Sequence, residues 1–125
     1  MPLYNARAYP TLAVSDIDRA REFYEQTLGF TPSTVDPAGV FYPAGGETRF
    51  LVYPSGEAGS NRATSIGFEV PDIEAEVADL KGRGIRFEHY EGYTNADGIA
   101  DAGRVRSAWF KDPDGNIVGV VQLKE

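Results

Sequence analysis

The sequence predicts an α+β fold: two βαβββ modules in one domain, whose curved, mixed sheets leave a concave pocket. Three observations carry this. Two strand-to-helix corners, Val14-Ser15-Asp16-Ile17-Asp18 and Val70-Pro71-Asp72-Ile73-Glu74, recur 56 positions apart, and a repeat at such a period sets the architecture before any motif is read. Each corner follows an apolar, β-prone run and precedes a helix-period stretch that ends in glycine and a new strand. Between the halves lies a polar, glycine-rich stretch, so module one covers roughly residues 5–54, a linker 55–62 and module two 63–125.

The elements follow in order. Ala8 to Val14 reads as a strand. Asp16 or Ser15 can cap the helix after it, since either side-chain oxygen would accept from an orphan backbone N–H, and Ser15-x-x-Asp18 resembles a capping box with Asp in place of Glu. Ile17, Ala20, Phe23, Tyr24 and Leu28 share one helical face, while Arg19, Arg21, Glu22, Glu25 and Gln26 lie largely on the other. That pattern is an amphipathic helix packed on a sheet. Gly29 ends it. Phe30 to Val35, Gly39 to Tyr42 and Thr48 to Tyr53 read as three strands, separated by turns at Asp36-Pro37-Ala38-Gly39 and Pro43-Ala44-Gly45-Gly46.

The order then recurs. Thr64 to Val70 is a strand, Asp72 caps a helix whose Ile73, Val77 and Leu80 face the sheet, Gly82 and Gly84 stop it, and Ile85 to Tyr90 is the next strand. Gly92 to Gly103 has no clear period and reads as a long loop, a length at which compact domains often place lids or binding loops. Arg104 to Lys111 and Asn116 to Leu123 are the last strands. They are joined by Asp112-Pro113-Asp114-Gly115, where proline presets φ and glycine accepts a positive φ.

At 125 residues with 42% hydrophobic content the chain can bury a core without staples. It has no cysteine, which excludes a disulfide framework, a thiol nucleophile and a thiolate-ligated zinc, and fits a reducing cytoplasm. The 12 basic and 19 acidic side chains leave a charge of −7, and the arginines are scattered, so nucleic acid is not an expected partner. No apolar run is long enough to span a bilayer and the amino terminus has no export signal. The expectation is a soluble, cytoplasmic protein with no membrane partner.

Two strings carry a family resemblance: Tyr-Pro-Thr-Leu-Ala-Val-Ser-Asp-Ile-Asp-Arg-Ala-Arg-Glu-Phe-Tyr-Glu-Gln-Thr-Leu-Gly-Phe from Tyr9 to Phe30, and Ala-Trp-Phe-Lys-Asp-Pro-Asp-Gly-Asn-Ile-Val-Gly-Val-Val-Gln from Ala108 to Gln122. Together they resemble the vicinal oxygen chelate superfamily, which includes glyoxalase I, extradiol dioxygenases, fosfomycin-modifying enzymes and bleomycin resistance proteins. The resemblance covers essentially the whole chain. It implies paired βαβββ modules, a pocket in the curved sheets, a homodimer and, in many members, a divalent metal held by histidines and glutamates. Carried over residue by residue, the four ligand positions fall on Tyr9, Leu51, Ser65 and Gly119. None of these can hold a metal as the family does.

Metal chemistry gives the same negative independently, because a catalytic site needs about three converging His, Glu, Asp or Cys ligands. The chain has one histidine, His89. An all-carboxylate set of Glu47, Glu69 and Glu88 is the remaining option and is disfavoured, since the first two sit beside turns or alternate with core residues.

His89 is the only side chain that titrates near neutrality unperturbed, yet a lone histidine near a strand end is more often structural. The aromatics are more suggestive, because Tyr and Trp offer an apolar face with a polar handle for flat or cationic ligands. Phe50, Phe68 and Phe110 read as core. Tyr9, standing where relatives hold a metal ligand, is the best candidate for the cavity, followed by Tyr53, which shares a face with Leu51. Arg49 has that same parity, as Glu69 has with Ser65, and a charge inside the cup would need a partner or a ligand.

The expected function is metal-independent binding of a small aromatic or apolar molecule, in the manner of drug-sequestering resistance proteins, without a cofactor. The candidate ligand-binding residues are Tyr9, Arg49, Leu51, Tyr53, Ser65, Trp109 and Gly119; no catalytic residue is assigned. Two alternatives stay open. One is a glyoxalase-like lyase, isomerase or dioxygenase-related enzyme, using Tyr9, Glu69 or His89 without metal or a metal with displaced ligands. The other is a structural or regulatory module whose cup is filled by its own side chains.

Overall fold

A computed structural model describes residues 2–124. The repeated corner folds as its chemistry dictates. β1 (Thr11–Val14) delivers the chain to Asp16, whose carboxylate accepts from the N–H groups of Asp18 and Arg19 and caps α1 (Ile17–Arg21). Asp72 repeats the device after β5 (Thr64–Glu69), accepting from Ala75 N–H at the start of α2 (Ile73–Gly82). Of the two possible caps of the first helix, Asp16 takes the role. Ser15 is engaged elsewhere, with Asp114. Beyond Arg21 the helix widens into a π-helical stretch, Glu22–Thr27, in which Leu28 N–H reaches the Phe23 carbonyl.

The remaining strands are β2 (Thr34–Asp36), β3 (Gly39–Pro43), β4 (Arg49–Pro54), β6 (Ala100–Ala102), β7 (Val105–Lys111) and β8 (Ile117–Leu123). They form two four-stranded mixed sheets of the same order, β1-β4-β3-β2 and β5-β8-β7-β6. In each, the module's first strand pairs in parallel with its last, and the other pairs are antiparallel. The internal repeat of the sequence is thus a repeat of topology.

Alternation fixes which way each sheet faces. Leu12, Val14, Tyr42, Phe50 and Val52 of the first sheet, and Ile66, Ala108, Phe110, Val118 and Val120 of the second, belong to one continuous core. Across it Phe50 meets Phe68 at 5.8 Å and Phe23 meets Phe110 at 6.4 Å between ring centroids. The helix-bearing faces of both modules therefore pack toward each other. The opposite faces point away from that core.

A polar stitch reinforces the packing. Buried Asp112 accepts from Tyr24 O–H at 2.9 Å, Asn116 Nδ2 at 2.8 Å, Asn116 N–H at 2.8 Å and Asp114 N–H at 3.0 Å. Asn116 also donates to the Ala13 carbonyl at 2.8 Å, and Asp114 accepts from Ser15 and Arg19. The Asp-Pro-Asp-Gly-Asn turn is thereby a lock that fastens module two to the first corner. Burial and the neighbouring Asp112 carboxylate push the Tyr24 phenol well above its ordinary 10.0.

Two expected strands come out differently. Phe30 does not open a strand. After Gly29 turns at a φ of +87°, the Phe30 ring sits among Tyr42, Phe50 and Phe68, at 6.2, 5.0 and 5.6 Å, and pairing starts only at Thr34. Ile85 to Tyr90 also forms no regular strand. Ile85 and Phe87 are buried, but toward β7 the described residues keep one bridge, Phe87 to Phe110, and one bond, Glu88 N–H to the Trp109 carbonyl. The rest of the β7 edge is taken by β6, which comes from the stretch expected to be a loop. Asn95 organises it by accepting from Asp97 and Ile99 N–H.

Candidate functional site

The outward faces hold the candidate residues, in two groups. On module one, Leu51 pairs with Thr11 across parallel β1 and β4, and Leu51 N–H donates to the Pro10 carbonyl at 3.0 Å. Continuing that register backward sets Tyr9 beside Arg49. The Arg49 guanidinium lies 5.0 Å from the Tyr9 ring centroid and 4.5 Å from that of Phe41, and the two rings meet edge to face at 5.1 Å. Tyr53 follows on the same face, half-buried like Arg49 and Leu51. Tyr9 is 38% exposed, open enough to meet a ligand.

On module two, Trp109 and Gly119 are paired neighbours on β7 and β8. Gly119 is buried, and a Cβ there would stand 3.3 Å from Thr64 Cγ2 and 3.5 Å from Trp109 Cδ1. Its bareness lets the indole lie close to the sheet. Ser65 sits at an irregularity between Thr64 and Ile66, where the β5 register slips, and it is Thr64 whose methyl reaches Gly119. Tyr93 stacks on Trp109 at 6.0 Å and Tyr90 meets it edge-on at 5.7 Å.

The structure thus joins Tyr9, Arg49, Leu51 and Tyr53 on one face and Trp109 with Gly119 on another. No ring contact or hydrogen bond links the two groups among the described residues. A groove of about 620 Å³ runs between the modules, lined by Pro10, Thr48, Arg49, Ile66, Gly67 and Glu69. A smaller cavity of about 220 Å³ lies among Leu28, Phe30, Phe68, Val70, Leu80 and Phe110. It belongs to the core side.

Phe41, Thr64, Tyr90 and Tyr93 were not singled out as site residues. Phe41 was detectable as a residue with the parity of Leu51 across β3 and β4. The slip that turns Thr64 toward Gly119 left no mark in the sequence. Neither did the turn that brings the Tyr93 ring back over Trp109, in which Tyr93 and Thr94 N–H donate to the Tyr90 carbonyl.

His89 is exposed in a separate groove with Lys81, Arg86 and Phe87. Nothing brings it to Tyr9. Among the described residues no group of three or more His, Cys, Asp or Glu side chains lies close enough to hold a metal ion, the set Glu47, Glu69 and Glu88 included. Tyr, Leu, Ser and Gly at the four family ligand positions do not fit a divalent cation either. No described helix is long and apolar enough to cross a membrane.

Comparison with known proteins places this geometry. The model of the Glyoxalase/Bleomycin resistance protein/Dioxygenase superfamily matches residues 7–120. Among solved structures the chain is similar to TnmS3, an antibiotic binding protein from Streptomyces sp. CB03234, at 25% identity and a TM-score of 0.71, covering 96% of this chain and 98% of that one. It is similar to a glyoxalase/bleomycin resistance protein from the same Streptomyces at 28% identity and a TM-score of 0.69, covering 92% and 98%. A glyoxalase/bleomycin resistance protein/dioxygenase from Alicyclobacillus acidocaldarius shares the fold, with 20% identity, a TM-score of 0.67 and coverage of 97% and 93%. No curated protein matches the chain.

Proposed function

Because the chain belongs to the glyoxalase/bleomycin resistance protein/dioxygenase superfamily, we propose that it is a metal-independent small-molecule binding protein whose ligands are aromatic or apolar. The carrying observation is the pair of outward aromatic faces, Tyr9 with Phe41 and Trp109 with Tyr93, of which Tyr9 and the Gly119 that pairs with Trp109 fall at positions the resemblance assigns to metal ligands. Flat rings held by their neighbours offer large contact area at small entropic cost. The similarity to an antibiotic binding protein supports drug-like ligands.

A second copy of the chain completes the site. Each module presents its aromatic face away from the core of its own chain, so two chains pairing these faces enclose both sets of rings between module one of one and module two of the other. The exposure of Tyr90 at 40% and Tyr93 at 56% is what such pairing would cover.

Thermal-shift screening against aromatic antibiotics and small carbonyl compounds tests the reading. A ligand at 100 times its Kd adds about 2.7 kcal/mol and should quench Trp109 fluorescence. No shift across a broad panel would reject binding. Elemental analysis after dialysis without chelator should find no bound transition metal, and near one equivalent would reject the metal-free reading.

A further inference from the structure

Arg49 begins β4 with its guanidinium carbon over two rings, those of Tyr9 and Phe41, so the head group is held in place rather than free to swing. The rings engage its charge. They offer no oxygen to accept from its N–H groups. Arg49 Nε is sealed from solvent with no hydrogen-bond partner, and no carboxylate among the described residues forms an ion pair with this arginine. Arg106 Nε is sealed in the same way, but the other partly buried arginines have an acid: Arg21 is bound by Glu25 at 2.7 Å and Arg106 by Glu74 at 3.0 Å.

A sealed N–H without an acceptor is costly, and the terminal N–H groups of the same guanidinium are not sealed and can take an incoming acceptor. Arg49 also lines the groove of about 620 Å³ between the modules. We propose that Arg49 selects ligands bearing a carboxylate or comparable oxyanion, which meets its terminal N–H groups while the flat apolar part of the ligand lies along the groove. Glu69, exposed elsewhere on the groove wall and forming no ion pair with Arg49, repels the same anion and so sets the ligand's direction. This inference rests on the binding reading above.

A matched pair of fluorescent probes, 9-anthracenecarboxylate and 9-anthracenemethanol, separates the two. The full-length protein should bind the carboxylate about tenfold or more tightly than the alcohol, the scale of one charge-assisted hydrogen bond. Arg49→Leu should erase that preference, and Arg49→Lys should restore part of it. The wild-type preference should also shrink between low and high salt, a readout that needs no variant to fold. Equal binding of the two probes by the wild type, or a preference that survives Arg49→Leu, overturns the anion assignment and leaves small-molecule binding standing. Failure of both probes to bind the wild type overturns the binding reading and this inference with it.

Discussion

Tyr24→Phe removes a single oxygen from the core and should be felt far beyond its size. The Tyr24 hydroxyl donates at 2.9 Å to Asp112, a residue 5% exposed whose carboxylate accepts three further hydrogen bonds. The ring itself is fully buried against Phe23, Tyr42 and Phe50 and would stay in place as Phe. A hydrogen bond to a charged group is worth roughly 1.5–3 kcal/mol, so the loss should be about 2 kcal/mol. With an unfolding entropy of about 2.1 cal/mol/K per residue, that lowers Tm by about 8 °C for a chain of this length.

The pH dependence gives a second check. Burial and Asp112 raise the folded-state pKa of Tyr24, so its contribution is full below the ordinary value of 10.0 and is lost as pH rises beyond it. Wild type should then lose stability that the variant never had. The gap between them should narrow between pH 9 and 11, by at most about 1.4 kcal/mol per pH unit. Urea unfolding followed by far-UV circular dichroism, at one protein concentration, measures both. A variant within 0.5 kcal/mol of wild type, or a gap that widens in alkali, would refute the assignment of Tyr24 as the donor that completes Asp112.

Gly59→Ala should cost about 2 kcal/mol or more by chemical denaturation, because Gly59 has a φ of +71° and a Cβ there would overlap the Asp114 carbonyl. Gly56→Ala, with nothing within 4 Å of the new methyl, should leave stability unchanged in the same assay. Glu25 accepts from Arg21 Nε at 2.7 Å and Tyr42 O–H at 2.8 Å, and the Arg21 bond holds its carboxyl below the ordinary 4.5. Its stabilisation is present above that value and lost as pH falls through the lowered one. Glu25→Gln should therefore lower Tm at pH 7 by a few degrees, with the difference closing in acid, as differential scanning calorimetry would show.

Period-two and period-3.6 patterns carry most of the fold, since both are local consequences of backbone geometry. Leu12, Val14, Phe50 and Val52 alternate inward and Ala20 and Tyr24 lie on the helical face that is buried, as the patterns require. The failures are where a distant partner decides. Phe30 has the composition of a strand residue, but three rings from two modules hold it in the core. Ile85 and Phe87 keep strand alternation without strand pairing, because β6 occupies most of the β7 edge.

The candidate site divides along the same line. The resemblance assigns Tyr9, Ser65 and Gly119 to family ligand positions by short counts from Val14, Val70 and Gly115, a spacing that is local to the corners, and assigns Leu51 by its strand. That Arg49 would be held against Tyr9 and Phe41 without an acid, and that Tyr93 would stack on Trp109, depended on register across β1, β3 and β4 and on the turn at Tyr90. The sequence by itself determined two βαβββ modules with the same strand order. Only the tertiary structure decided that the helix-bearing faces meet and the aromatic faces turn outward, since both faces of each sheet are rich in rings and only their packing against the second module chooses between them.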